Sequence, residues 1–76
     1  MSEMEWLDIF AGNLLDMMVE AGHSQHSLAN VTGLSQASIS RYLAARQMPT
    51  IKAIINIAYA LDCDIVDLID FGDTID

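Results

Sequence analysis

Apolar residues in this chain recur at helical spacing, and no stretch alternates with the period of two that marks a half-buried strand. Trp6, Phe10, Leu14, Met17 and Ala21 fall three or four residues apart and make one stripe. Leu7, Ala11, Leu15 and Met18 make a second stripe beside it, wider together than one core contact needs. Ser2 suits an N-cap, Glu3 and Glu5 suit the positive end of a helix, and Gly22 suits the left-handed residue after a last turn. These signals predict a first helix over residues 3–21. A second helix runs from an N-cap at Ser24 to about Val31, with Leu28, Ala29 and Val31 inward. Thr32, Gly33 and Leu34 form a turn in which Gly33 supplies a positive φ. Ser35 caps a third helix from Gln36 to about Ala45, with Ile39, Tyr42 and Leu43 as its apolar positions. Pro49 disfavours helical geometry at Met48 and makes residues 46–49 a loop. Thr50 caps a fourth helix to Leu61 that buries Ile51, Ile54, Ile57, Ala58 and Leu61. Asp64 caps a last helix over 65–70 that buries Ile65, Leu68 and Ile69. The prediction is an all-α fold, a compact five-helix bundle, in one domain over residues 1–76. Residues 1–13 extend its first helix, and the acidic tail 71–76 is flexible.

Charge changes the picture more than composition does. The 76 residues carry eleven acids against three bases, a net charge of −8. Such a total argues against a nucleic-acid or anionic-membrane partner. Its distribution argues the other way. Residues 1–20 hold five acids and residues 62–76 hold six, while no Asp or Glu occurs from Ala21 to Leu61. Arg41, Arg46, Lys52 and both histidines lie inside that acid-free window. The 53% apolar fraction is high and leaves surface for a partner beyond the core.

Other chemistry is excluded feature by feature. Cys63 is the only cysteine, so no disulfide forms; it has no neighbouring base to lower its pKa and reads as a packing residue. His23 and His26 are three residues apart but offer two ligands without a third, so no metal is expected. Asp62, Asp64 and Asp67 read as capping and solubility. No Gly-rich phosphate loop, HExxH or nucleophile–base pair is present, so neither enzyme activity nor a cofactor nor a small-molecule ligand is expected. No apolar run approaches the roughly 18 residues of a membrane span. The N-terminus is acidic where a secretory leader is basic, so a cytoplasmic place is expected.

Gly22, Ser24-Gln25, Leu28-Ala29, Gly33-Leu34-Ser35, Ile39-Ser40-Arg41, Pro49-Thr50 and Ala58 to Leu61 stand at fixed intervals. In that register the chain, from about Leu14 to Ile69, resembles the Cro and phage-repressor (Xre, lambda-repressor-like) type of helix-turn-helix, with the second and third helices as the motif over residues 24–45. The resemblance implies that the third helix lies in the major groove of DNA and that its first residues meet base edges. It places Gln36, Ala37 and Arg41 as base readers, with Ser38 beside them. Gln suits adenine, Ala a thymine methyl and Arg guanine. It assigns Ser24, Gln25, Ser35, Ser40, Arg46 and Lys52 to phosphate. The chain also departs from the family. Ala45 stands where Gly often ends the third helix, so that turn is expected to be built differently. Leu43 replaces a common Glu. Met18 stands where Arg or Lys is frequent, which removes one phosphate contact. About three cationic contacts per subunit imply a shallow dependence of affinity on salt.

The function implied is a bacterial or phage transcriptional regulator, a homodimeric repressor acting by occupancy on a palindromic operator. One module reads one half-site, and two half-sites lie about 34 Å apart. Leu7, Leu15, Met18, Ile55, Tyr59 and Phe71 have no core role in this reading and are assigned to the dimer interface. The alternative is an acidic protein-interaction module on the same fold, such as an antitoxin-like partner, that does not bind DNA. The acid-free window favours the first.

Overall fold

The structure, a computed structural model, describes residues 2–70. The expectations for Phe71 and the tail 71–76 lie outside the described residues. Helices α1 (Glu3–Ala21), α2 (Gln25–Thr32), α3 (Gln36–Leu43), α4 (Ile51–Ala60) and α5 (Ile65–Ile69) follow one another, and no strand occurs among the described residues. The fold is the all-α five-helix bundle that the pattern predicts.

Each helix opens where a short polar side chain stands. Ser2, Ser24, Ser35 and Thr50 hold extended backbone at the N-cap, and each side-chain oxygen accepts the backbone N–H three residues on. At α5 the bond runs backwards, from the Asp64 N–H to the Asp67 carboxylate at 3.1 Å. The helix ends are equally specific. After α1, the His23 N–H reaches the Met18 carbonyl and the Gly22 N–H that of Val19, with Gly22 at φ +74°. This pair of bonds around a left-handed residue is a Schellman motif. It recurs after α3, through Arg46 to Arg41 and Ala45 to Tyr42, and after α4, through Cys63 to Ala58 and Asp62 to Tyr59. Ala45 and Asp62 therefore take the left-handed place at φ +57° and +53°. The turn after α3 is thus the one that glycine usually makes, built here with alanine.

Helix α1 packs on α3 and α5, α2 on α3 and α4, and α4 on α5. Phe10, Leu14, Leu28, Ile39, Ile57 and Leu68 are completely buried where these layers meet. Trp6 stacks on Phe10 at 5.4 Å between ring centroids, and Tyr42 meets Phe10 edge-on at 6.2 Å. Asn13 on α1 donates to the carbonyls of Leu68 and Asp70, both at 3.0 Å. Those carbonyls belong to the end of a five-residue helix, where no intrahelical donor remains for them.

Four burial expectations are corrected. Val31 is exposed, because Leu28 and Ala29 set the inward direction of α2 and position 31 lies well round the helix from their midpoint. Ile51 and Ile65 are exposed in the first turns of their helices, and Ala53 takes the inward place on α4. Met18 is 3% exposed and belongs to the core cluster, so it cannot line a dimer interface. Phe10, Ala11, Leu14 and Met18 together form the buried face of α1, drawn from both stripes, while Leu15 and Ala21 stay exposed.

Candidate nucleic-acid interface

Helices α2 and α3 are joined by a turn whose parts come from three adjacent residues. Gly33 at φ +75° sends its N–H to the Ala29 carbonyl at 3.0 Å. The Thr32 hydroxyl donates to the Leu28 carbonyl at 2.8 Å and accepts the Leu34 N–H at 3.2 Å. Leu28 and Ile39, fully buried, lock the two helices to the core behind the turn. What faces outward is therefore rigidly carried.

The outward residues are polar and free of acids. Gln36, Ala37, Ser40 and Arg41 are exposed on α3, and Ser38 is half-buried among them. Gln25 opens α2 half-buried, and Ser24, Ser35, Arg46 and Lys52 are exposed. The serine caps are already engaged. Ser24 and Ser27 exchange backbone and hydroxyl bonds at 2.9 and 3.1 Å, and Ser35 accepts the Ser38 N–H at 3.0 Å. Each cap serves the third residue of its helix, which leaves the N–H groups of Gln25 and His26, and of Gln36 and Ala37, without intrahelical partners. Two helix N-termini with such donors on one motif suit an anion better than the serine hydroxyls do.

Two residues outside the sequence-level site touch its readers. His26 Nδ1 lies 3.5 Å from the Gln36 side-chain oxygen. The Arg41 Nε–H donates to the Gln47 side-chain oxygen, and Arg41 Nη2 donates to the Ser38 hydroxyl at 3.4 Å. Both partners of Arg41 are neutral. Gln47 had no signal in the sequence, because only the left-handed turn at Ala45 folds residues 46 and 47 back along α3.

The acids lie elsewhere. Helix α1, which carries Glu3, Glu5, Asp8, Asp16 and Glu20, packs on α5, whose N-cap, body and end carry Asp64, Asp67 and Asp70; all eight acids are exposed. Cys63 sits half-buried beside an open cavity of about 390 Å³ lined also by Met17, Glu20, Leu61 and Asp67. Burial first, then the carboxylates of Asp67, Asp64 and Asp62, push the Cys63 thiol above its ordinary range. That direction favours the thiol over the thiolate.

The residues assigned to a dimer interface divide between helices. Leu7 is half-buried and Leu15 exposed on α1; Ile55 and Tyr59 are exposed on α4, Tyr59 at 89%. Ile51, Ile55 and Tyr59 form a stripe along α4. Val31, Thr32, Ile55, Asn56 and Tyr59 line a shallow groove of about 240 Å³ between α2 and α4.

Residues 14–68 match the helix-turn-helix family HTH_3. Among solved structures, the restriction-modification controller protein C.AhdI from Aeromonas hydrophila superposes with a TM-score of 0.78 at 26% identity, covering 82% of this chain and 94% of that one. The hypothetical transcription factor NHTF from Neisseria gives 0.82 at 26% identity, covering 91% and 79%. An HTH_3 family transcriptional regulator from Vibrio cholerae gives 0.84 at 22% identity, covering 88% of this chain and 38% of that one, a likeness of fold. No match is found among curated proteins.

Proposed function

Because the chain belongs to the helix-turn-helix family, we propose that it is a sequence-specific DNA-binding regulator of transcription that acts as a homodimer on a two-fold symmetric operator and represses by occupancy. The observation that carries this reading is the charge map: the α2–α3 face has no acid, holds Arg41 and Arg46, and adjoins Lys52 in the first turn of α4. In this reading α3 enters the major groove. Gln36, Ala37, Ser38 and Arg41 meet base edges, and Gln25, Ser24, Ser35, Ser40, Arg46 and Lys52 lie along phosphates. The similarity to a restriction-modification controller protein supports a regulator, not an enzyme.

The need for two copies follows from size. The eight residues of α3 extend about 12 Å, enough for one half-site. The surface best suited to a second copy is the α4 stripe of Ile51, Ile55 and Tyr59 with Val31 beside it. It is apolar, exposed and free of acids, so two chains of net charge −8 approach there against the least repulsion. Tyr59 lines one side of the groove and stands 89% exposed, a knob that can lodge in the equivalent groove of a two-fold mate.

Selection from a pool of random duplexes, at about 50 mM and about 150 mM salt, tests this function. Enrichment of a two-fold symmetric site that Arg41→Ala no longer enriches is expected. Lys52→Ala should weaken binding evenly across sequences and reduce the salt slope by about 1. No duplex retained even at the lower salt contradicts the reading and leaves the protein-interaction alternative.

A further inference from the structure

An arginine reads guanine well only if its guanidinium arrives flat, in the base plane, with two parallel N–H bonds aimed at O6 and N7. On an exposed helix the same side chain samples many rotamers, and fixing it costs affinity and blurs discrimination. Arg41 is exposed, yet it is held at two points. Its Nε–H is taken by the Gln47 side-chain oxygen. Its Nη2 reaches Ser38, whose hydroxyl also accepts from Ser35 at 3.0 Å. Of five guanidinium donors, these bonds use the Nε–H and one on Nη2. A Ser38 bond made by the inner Nη2 hydrogen, the one beside Nε–H, leaves the outer pair on Nη1 and Nη2 for the end-on fork.

Gln47 reaches Arg41 through the backbone. Ala45 turns left-handed, the Arg46 N–H closes on the Arg41 carbonyl at 2.9 Å, and the chain doubles back over the last turn of α3. The carbonyl and the side chain of Arg41 are thus both fixed by the segment that follows the helix. Gln47 is half-buried there, and its amide is neutral, so it orients the cation without cancelling its charge. A carboxylate at position 47 would hold the guanidinium more tightly and oppose its transfer to DNA.

We propose that Gln47 is a positioning residue that sets the specificity of this site: it occupies the Arg41 Nε–H and presents the Nη1/Nη2 edge, selecting end-on reading of guanine. The inference rests on the DNA-binding reading above.

Two measurements test it. The first uses the free chain. Exchange of the Arg41 Nε–H with water, followed in 15N-edited spectra, should be slower than that of Arg46, fast in Gln47→Met and still slow in Gln47→Glu, which keeps an acceptor. Equal exchange at Arg41 and Arg46 in the wild type, or no change in Gln47→Met, overturns the proposal. The second uses the duplex the wild type selects, and a version altered at the base pair whose importance Arg41→Ala removes. Gln47→Met should lower the affinity ratio between them about 3- to 10-fold while changing affinity for an unrelated duplex less than about twofold. An unchanged ratio, or an equal loss on every duplex, overturns the role in specificity. A wild type that selects no duplex removes the DNA reading and this role with it, whereas the free-chain spectra still report whether Gln47 holds Arg41.

Discussion

Ala45 shows how a single residue carries part of this site. An L-residue in the left-handed region costs roughly 1–2 kcal/mol, and Asp at position 62 tolerates the same geometry better than Ala does at 45. The α3 end accepts that strain to close the Schellman bonds and fold Gln47 back onto Arg41. Ala45→Gly is expected to stabilise the chain by about 1 kcal/mol, which raises the thermal midpoint by about 4–8 °C in a domain of this size. Thermal unfolding followed by circular dichroism checks it; a lowered midpoint would show that the turn is not strained. The N-caps were legible because Ser, Thr and Asp announce themselves. Ala45 was not, since nothing in an alanine signals φ +57°. Gln47 was hidden for the same reason. Met18 and Leu43 show a linked effect. Both stand where the family's pattern often has charges, and here Met18 is in the core and Leu43 packs against it. Both positions are apolar here, so neither brings a charge into or against the core.

At the scale of elements, the helices were readable because caps, glycines and Pro49 mark their limits independently of the apolar stripes. Inward faces were less readable. Spacing allows Val31 and Ile51 to be core residues, and only the direction from which a neighbouring helix packs decides against them. The shortest helix shows packing outweighing propensity. Five residues cannot hold a helix alone in water. Helix α5 persists because Leu68 is fully buried and because Asn13 satisfies carbonyls at its end. Asn13→Ala should cost about 1–2 kcal/mol in denaturant unfolding and leave amides of α5 exchanging faster than those of α2 and α3. Uniform acceleration in all helices would mean that Asn13 supports the whole bundle instead.

At the scale of the molecule, two interactions should respond to salt with opposite signs. The proposed DNA binding through Arg41, Arg46 and Lys52 should weaken as salt rises. The proposed association of two chains of net charge −8 through the α4 stripe should strengthen, because screening acts on the repulsion between their acids. Analytical ultracentrifugation between about 50 and 300 mM salt should show dimer increasing in the wild type, and Tyr59→Asp should remain monomeric throughout. A dimer that dissociates as salt rises would place the contact on charged surface instead. The acid-free window was visible in the sequence, and so was the implied face. The fold adds that α1 and α5, the two helices that carry acids, pack together although far apart in the chain.

The central claim is that this division of charge assigns DNA to one face. The most direct test is an amide titration of the 15N-labelled chain with a duplex at about 50 mM salt. The account predicts shifts confined to the starts of α2 and α3, to Arg41, and to the segment from Arg46 to Lys52, with α5 and the outer face of α1 unmoved. Shifts centred on α1 and α5, or none anywhere, would contradict it.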